Sequence, residues 1–196
     1  SLATLARNDR ICEIFRYGAR FFSSTLLFTV LFSNSVSAAQ SFPFQLSARS
    51  AVLMDGDTSR VILSRSPHTK RAPASTTKLL TALVVLDRLS LDKTLAASAY
   101  AASMSRTNIS LRRGEKFYVR DLLRALLIAS ANDAAVVLAE GSAGSERKFA
   151  RLMNAKAKQV GAKHSNFVNS HGLPNAHQIS TAYDLAMIMR AVNRHL

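Results

Sequence analysis

Between Thr76 and Leu89 the chain reads "TTKLLTALVVLDRL", which is apolar on most faces of a helix. Such a helix cannot lie on a surface. It is expected to be buried on nearly all sides, so that the rest of the fold wraps around it. Lys78 interrupts it, a charged residue on a face that reads as buried, where lysine is rarely found.

Just ahead of the helix, "RAPAS" (Arg71 to Ser75) reads as a loop, with Pro73 as a helix-start signal. Ser75 and Lys78 are three residues apart and so share one helix face. A serine hydroxyl is a weak nucleophile until a base lies in hydrogen-bond reach and donors await the oxyanion. A serine in a first helical turn sits among free backbone N–H groups and at the positive end of the dipole. Lysine normally holds its proton to about pH 10.4, but burial can lower that value enough for it to act as a base. The same spacing also describes Ser75 as an ordinary helix N-cap and Lys78 as a surface residue. A second polar element, "SANDA" (Ser130 to Ala134), lies at a helix–helix junction. Ser130 is placed to relay a proton and Asn132 to hold a substrate amide, or Asn132 and Asp133 simply cap the next helix.

The other elements follow from local pattern. Ala51 to Met54 and Val61 to Leu63 flank "DGDTS" and read as a β-hairpin. Residues 96–109 lack a clear period and read as irregular or as short helices. Tyr118-Val119 reads as a short extended piece. Helices are expected from Asp121 to Ser130, from Asn132 or Asp133 to Gly141, from Glu146 to Val160 with Gly161 as its C-cap, and from Thr181 to the end. "NFVNSHGLPNAHQIS" between the last two reads as a polar loop.

Residues 1–38 read as an export signal: four arginines, the 12-residue apolar run "FFSSTLLFTVLF", then small residues at "VSA". That segment holds the single cysteine, Cys12, so the part from Ala39 has no thiol for disulfides, catalysis or metal binding. It also holds four of the 26 basic and two of the 12 acidic residues, which leaves a formal charge of +12 on residues 39–196. A basic exported protein is drawn to anionic envelope polymers and to membrane surfaces; nucleic acid is not an expected partner. The five histidines show no metal-ligand spacing, and no metal or cofactor is expected.

Ser-x-x-Lys followed by Ser-x-Asn resembles the penicillin-recognising serine enzymes, whose third signature is Lys-Ser/Thr-Gly. The resemblance is closest to the serine-type D-alanyl-D-alanine carboxypeptidases, the low-molecular-mass penicillin-binding proteins. It runs through "SAVLMDGDTSRVILS", "RAPASTTKLLTALVVL", "LRRGEKFYVRDLLRALLIASANDAAVVLAE", "NSHGLP" and "STAYDLAMI" in that order. It implies an α/β (α+β), β-lactamase/transpeptidase-like fold, a helical cluster packed on an antiparallel sheet. Ser75 would be the acylated nucleophile, Lys78 its base, Ser130 a proton relay and Asn132 a substrate-binding residue. The substrates would be peptidoglycan stem peptides ending in D-Ala-D-Ala, and β-lactams would be covalent inhibitors. His171, in the "HGLP" loop, is expected to be structural. No Lys-Ser/Thr-Gly triplet lies downstream of Asn132. Residues 39–196 therefore read as part of a catalytic domain, truncated before its last strands and with apolar helix faces left exposed. The alternatives are a β-lactamase or D,D-endopeptidase on the same scaffold, or an inactive fragment.

Overall fold

The computed structural model describes residues 41–194; the expected export signal, residues 1–38, lies outside them. Thr77–Leu86 forms the axial helix α1. Leu80 and Val85 are fully buried and Leu83 nearly so. At about 2 kcal/mol for each such side chain removed from water, α1 contributes substantially to core stability. Four later helices pack on it: α3 (Val119–Ile128), α4 (Asn132–Ala143), α5 (Glu146–Gln159) and α6 (Ala182–Asn193). α4 is the second interior helix, buried without a break from Asn132 to Ala139. Its run of Ala and Val is narrow enough to pack against α1, α3 and α5 at once.

Two small antiparallel sheets flank the helices. β1 (Ala51–Met54) pairs with β2 (Val61–Arg65), with Leu53 opposite Leu63. Their connection is longer than a two-residue Asp-Gly turn. Asp55 Oδ1 accepts from Thr58 N at 2.8 Å and from Thr58 Oγ1 at 2.7 Å, and the chain turns back through Ser59 at φ +63°. β3 (Thr94–Ala96) pairs with β4 (Lys116–Tyr118). Between them, α2 (Ala99–Ala102) is capped by Ser98 Oγ. β3 is too short for its pattern to show in the sequence. α6 sits over β1, and Arg190 donates to the carbonyls of Gly56 and Asp57 in the hairpin loop. The result is the expected mixed α/β class.

Three of the departures from the expected boundaries have a clear structural reason. α3 begins at Val119, two residues before Asp121, because Tyr118 is extended and Val119 is buried as the first helical residue. α4 runs past Gly141 to Ala143 and ends on Gly144 at φ +77°. Gly141 is a packing glycine: a Cβ there would stand 2.5 Å from the Leu95 side chain, so its absence lets β3 approach α4. Neither Asn132 nor Asp133 caps α4, because Asn132 is already helical and both side chains are used elsewhere.

The polar loop of residues 165–181 is stitched to the core. Gln178, nearly fully buried, takes Val168 N and Asn169 N on its Oε1 and donates Nε2 to Thr77 Oγ1 and Asn169 Oδ1. Thr81 Oγ1 donates to Ser170 O at 2.6 Å. Two threonines of α1 thus fix the loop that faces Ser75. Among the described residues, no helix is long and apolar enough to cross a membrane.

Candidate active site

Ser75 lies in a 3-10 turn, Ala74–Thr76, that feeds into α1. It makes no capping bond, which removes the ordinary N-cap reading. The preceding Ala74 is held at φ +49°, a left-handed conformation that an alanine adopts only under constraint. The constraint is Gly172. Its φ is +88°, and a Cβ on it would lie 2.0 Å from Ala74 O and 3.1 Å from Ser75 N. Only glycine lets the "HGLP" loop close on the backbone of the serine.

Lys78 is the buried group of the site, 3% exposed. Its Nζ donates to His171 O at 2.7 Å, to Asn132 Oδ1 at 2.8 Å and, more weakly, to Ser75 Oγ at 3.4 Å. Those three acceptors match the three protons of an ammonium. Among the described residues no carboxylate is bonded to Nζ, and burial pulls the lysine down to about 8. The surface reading of Lys78 is therefore excluded. When the amine is free, it donates to two of the acceptors and takes a proton from the third. The 3.4 Å contact, the longest, is the one suited to reverse, with Ser75 O–H donating to Nζ.

Asn132 is held in three ways. Its Oδ1 takes Lys78, its backbone N donates to Thr107 O at 2.8 Å, and its Nδ2 reaches Ser105 O only weakly, at 3.4 Å. Nδ2 is thus the atom left for a ligand. Asp133 points the other way and is 2% exposed. Its carboxylate accepts from Ile109 N and Leu111 N at 3.0 and 3.1 Å, which locks the 105–111 loop against α4. Ser130 occupies the junction of α3 and α4 at φ +55°. It shares a cavity of about 300 Å³ with Ser75, Lys78 and Leu127, but it bonds to neither Ser75 nor Lys78. On the other side of Ser75 a second cavity, about 290 Å³, is lined by Asn132, His171 and Gly172 among others. A larger one, about 490 Å³, lies against β2 and residues 41–46, remote from this chemistry.

The structure thus brings Ser75, Lys78 and Asn132 together and puts Ser130 across a cavity from them. Glu146 is a residue that the sequence reading missed. Its Oε1 accepts from Ser170 N at 2.9 Å and Ser170 Oγ at 2.7 Å and lies 3.4 Å from His171 Nε2; its Oε2 accepts from Tyr100 OH. Burial, with Glu146 beside it, pushes the Tyr100 hydroxyl up to about 12. Burial also lowers His171, so its ring tends to neutral, while its carbonyl serves Lys78. The first-turn acid of α5 was legible as such, but not its reach to a loop 24 residues away. Among the described residues, no cluster of His, Cys, Asp and Glu is arranged to hold a metal ion.

Comparisons with known proteins give the family and the fold. The chain is 38% identical over 153 residues to D-alanyl-D-alanine carboxypeptidase DacF of Bacillus subtilis, covering 76% of this chain and 39% of that protein. It is 36% identical over 179 residues to a D-alanyl-D-alanine endopeptidase of Pseudomonas aeruginosa, covering 87% of this chain and 57% of the relative. The crystal structure of the D-alanyl-D-alanine carboxypeptidase DacD from Francisella tularensis superposes with a TM-score of 0.74 at 34% identity, covering 78% of this chain and 38% of that one. The chain thus spans between about two-fifths and three-fifths of the length of the proteins it matches. Residues 34–196 match the peptidase S11 family, D-alanyl-D-alanine carboxypeptidase, and the chain belongs to that family.

Proposed function

We propose that this chain carries the nucleophile and base of a serine D,D-carboxypeptidase, which removes the terminal D-alanine from peptidoglycan stem peptides through an acyl-enzyme on Ser75. The observation that carries this reading is Lys78: buried, bonded to no carboxylate, within 3.4 Å of Ser75 Oγ and lowered to about 8. A lysine so placed is a base at near-neutral pH.

In this mechanism Lys78 Nζ takes the Ser75 proton as Oγ attacks the carbonyl of the penultimate D-alanine. The Ser75 N–H, at the start of a helix, stabilises the oxyanion. Asn132 Nδ2 receives the substrate amide oxygen. The C–N bond breaks, and the leaving amine takes back the proton from Lys78 by way of the Ser130 hydroxyl. Water then attacks the ester and gives its proton to Lys78. As the C–O bond breaks, that proton returns to Ser75 Oγ. β-Lactams follow the first half of this path and act as covalent inhibitors. Residues 1–38 serve as an export signal, and the +12 charge of the remainder holds the protein near anionic wall polymers and the membrane surface.

A second reading, D,D-endopeptidase, is favoured by the similar Pseudomonas protein of that name. The two separate by substrate. The protein bearing this chain is offered an N-acylated peptide ending in D-Ala-D-Ala and, separately, a cross-linked muropeptide dimer. D-Alanine release from the first, lost in Ser75→Ala, supports the carboxypeptidase. Cleavage of the dimer alone supports the endopeptidase, and cleavage of neither sinks both.

A further inference from the structure

The cavity on the Asn132 side of Ser75 has a charge at its rim that the proposed reaction does not use. Arg106 lines it together with Ser75, Asn132 and His171, and no Asp or Glu does. The only other ionisable side chain in that lining is His171, which burial drives toward neutral. Arg65, Arg71 and Arg190 each donate to an acceptor elsewhere in the fold. The Arg106 side chain is exposed and has no hydrogen-bond or ion-pair partner among the described residues.

Its backbone, by contrast, is pinned. Asn132 N donates to Thr107 O at 2.8 Å, so the residue next to Arg106 is fastened to a site residue. Asp133 fastens the same loop two residues further on, at Ile109 N. Arg106 adopts φ +67°, a conformation that glycine takes freely and arginine does not. A strained backbone, fixed beside a nucleophile and carrying an unpaired guanidinium, calls for a ligand.

We propose that Arg106 is an anion subsite of the cleft and binds a carboxylate on the acyl-donor side of the scissile bond. This rests on the acyl-transfer reading above. The side follows from the reaction. The leaving amine departs beside Ser130, across Ser75, so the Asn132 wall takes the acyl portion. A guanidinium pairs with a carboxylate through two parallel N–H···O bonds. The class of ligand is a peptide with a free carboxylate upstream of the bond that is cut.

Arg106→Gly removes the guanidinium and relieves the left-handed strain, so a folding defect is not its expected result; Arg106→Lys keeps the charge. Acylation efficiency is measured with benzylpenicillin and with its α-carboxy derivative, which differ by one carboxylate on the acyl side. The ratio of the second to the first is expected to fall about fivefold in Arg106→Gly and to recover partly in Arg106→Lys. An equal fall with both compounds, or an unchanged ratio, would overturn the subsite. The question is also put without chemistry, by titrating Ser75→Ala protein, with and without Arg106→Gly, with an N-acetylated stem peptide whose upstream carboxylate is free or amidated. The free acid binds about fivefold more tightly only where Arg106 is present; equal affinities overturn the proposal. A protein that neither penicillin acylates contradicts the acyl-transfer reading, while the peptide affinities still decide the subsite.

Discussion

Lys78 and Ser130 share a cavity wall with Ser75, yet they are held in opposite ways. Lys78 is interior, with its three acceptors supplied by α4, the Gly172 loop and the serine itself. Ser130 sits on a strained turn without a hydrogen bond among the described residues, next to Leu127, half exposed, and Ile128, 85% exposed. The Ser75–Lys78 half of the site is held by buried helices. The Ser130 half is a surface. Burial of α1 and α4 sets the first geometry. On the Ser130 side a substitution is expected to leave the core packing in place.

The largest effect is expected from Lys78→Met, which keeps the length of the side chain and removes the base. Acylation by a fluorescent penicillin should fall by about 10²- to 10⁴-fold while the circular dichroism spectrum stays native. Near-parental acylation would place the base elsewhere. Gly172→Ala comes next. A methyl group 2.0 Å from Ala74 O, on a residue at φ +88°, cannot be accommodated unless the loop withdraws from Ser75. The expected cost is about 3 kcal/mol in chemical denaturation, with acylation lowered as well.

The pH profile probes the Lys78 half without a mutation. Lys78, lowered mainly by burial to about 8, is protonated below that value, so acylation should drop about tenfold per pH unit on the acid side. Stability carries the same signature. Between about 8 and the usual lysine value, the unfolded chain holds a proton that the folded chain has released. Folding stability should therefore rise with pH across that window, and Lys78→Met should flatten the rise. A profile flat from pH 6 to 9 would remove the lysine from its role.

Asp133→Asn tests how far the buried side extends. Asp133 Oδ2 accepts from both Ile109 N and Leu111 N while Oδ1 accepts from Ala134 N at 2.9 Å, so an amide turns its NH2 on one side or the other, which should cost about 1–3 kcal/mol and loosen the 105–111 loop where it faces that side. Hydrogen exchange at Ile109 and Leu111 would register it. The smallest effect belongs to Ser130→Gly. Glycine relieves φ +55°, so stability should rise by up to about 1 kcal/mol even as acylation falls. Loss of stability there would mean that Ser130 is bound into the fold after all.

Much of this was legible in the sequence because it is local. The apolar run announced the buried α1, and the Ser-x-x-Lys spacing fixed the shared face of Ser75 and Lys78. What escaped was long-range. Asn132 and Asp133 looked like caps because their type favours caps; their real partners, Lys78 and the 109–111 backbone, are more than 20 residues away. Gly141 looked like a helix end, but Leu95 needs the space. Nothing in one sequence says that the loop will fold onto Glu146, or that Gln178 within the loop will turn in to Thr77. β3 was hidden because three residues carry no period.

The most direct test of the Ser75–Lys78 pair is intact-mass spectrometry after incubation with benzylpenicillin, on the parent, Ser75→Ala and Lys78→Met proteins, followed by peptide mapping. One covalent adduct located on Ser75 in the parent, absent from Ser75→Ala and much slower to form in Lys78→Met, is the expected result. A folded parent that takes no adduct, or an adduct that persists in Ser75→Ala, would contradict the assignment of nucleophile and base.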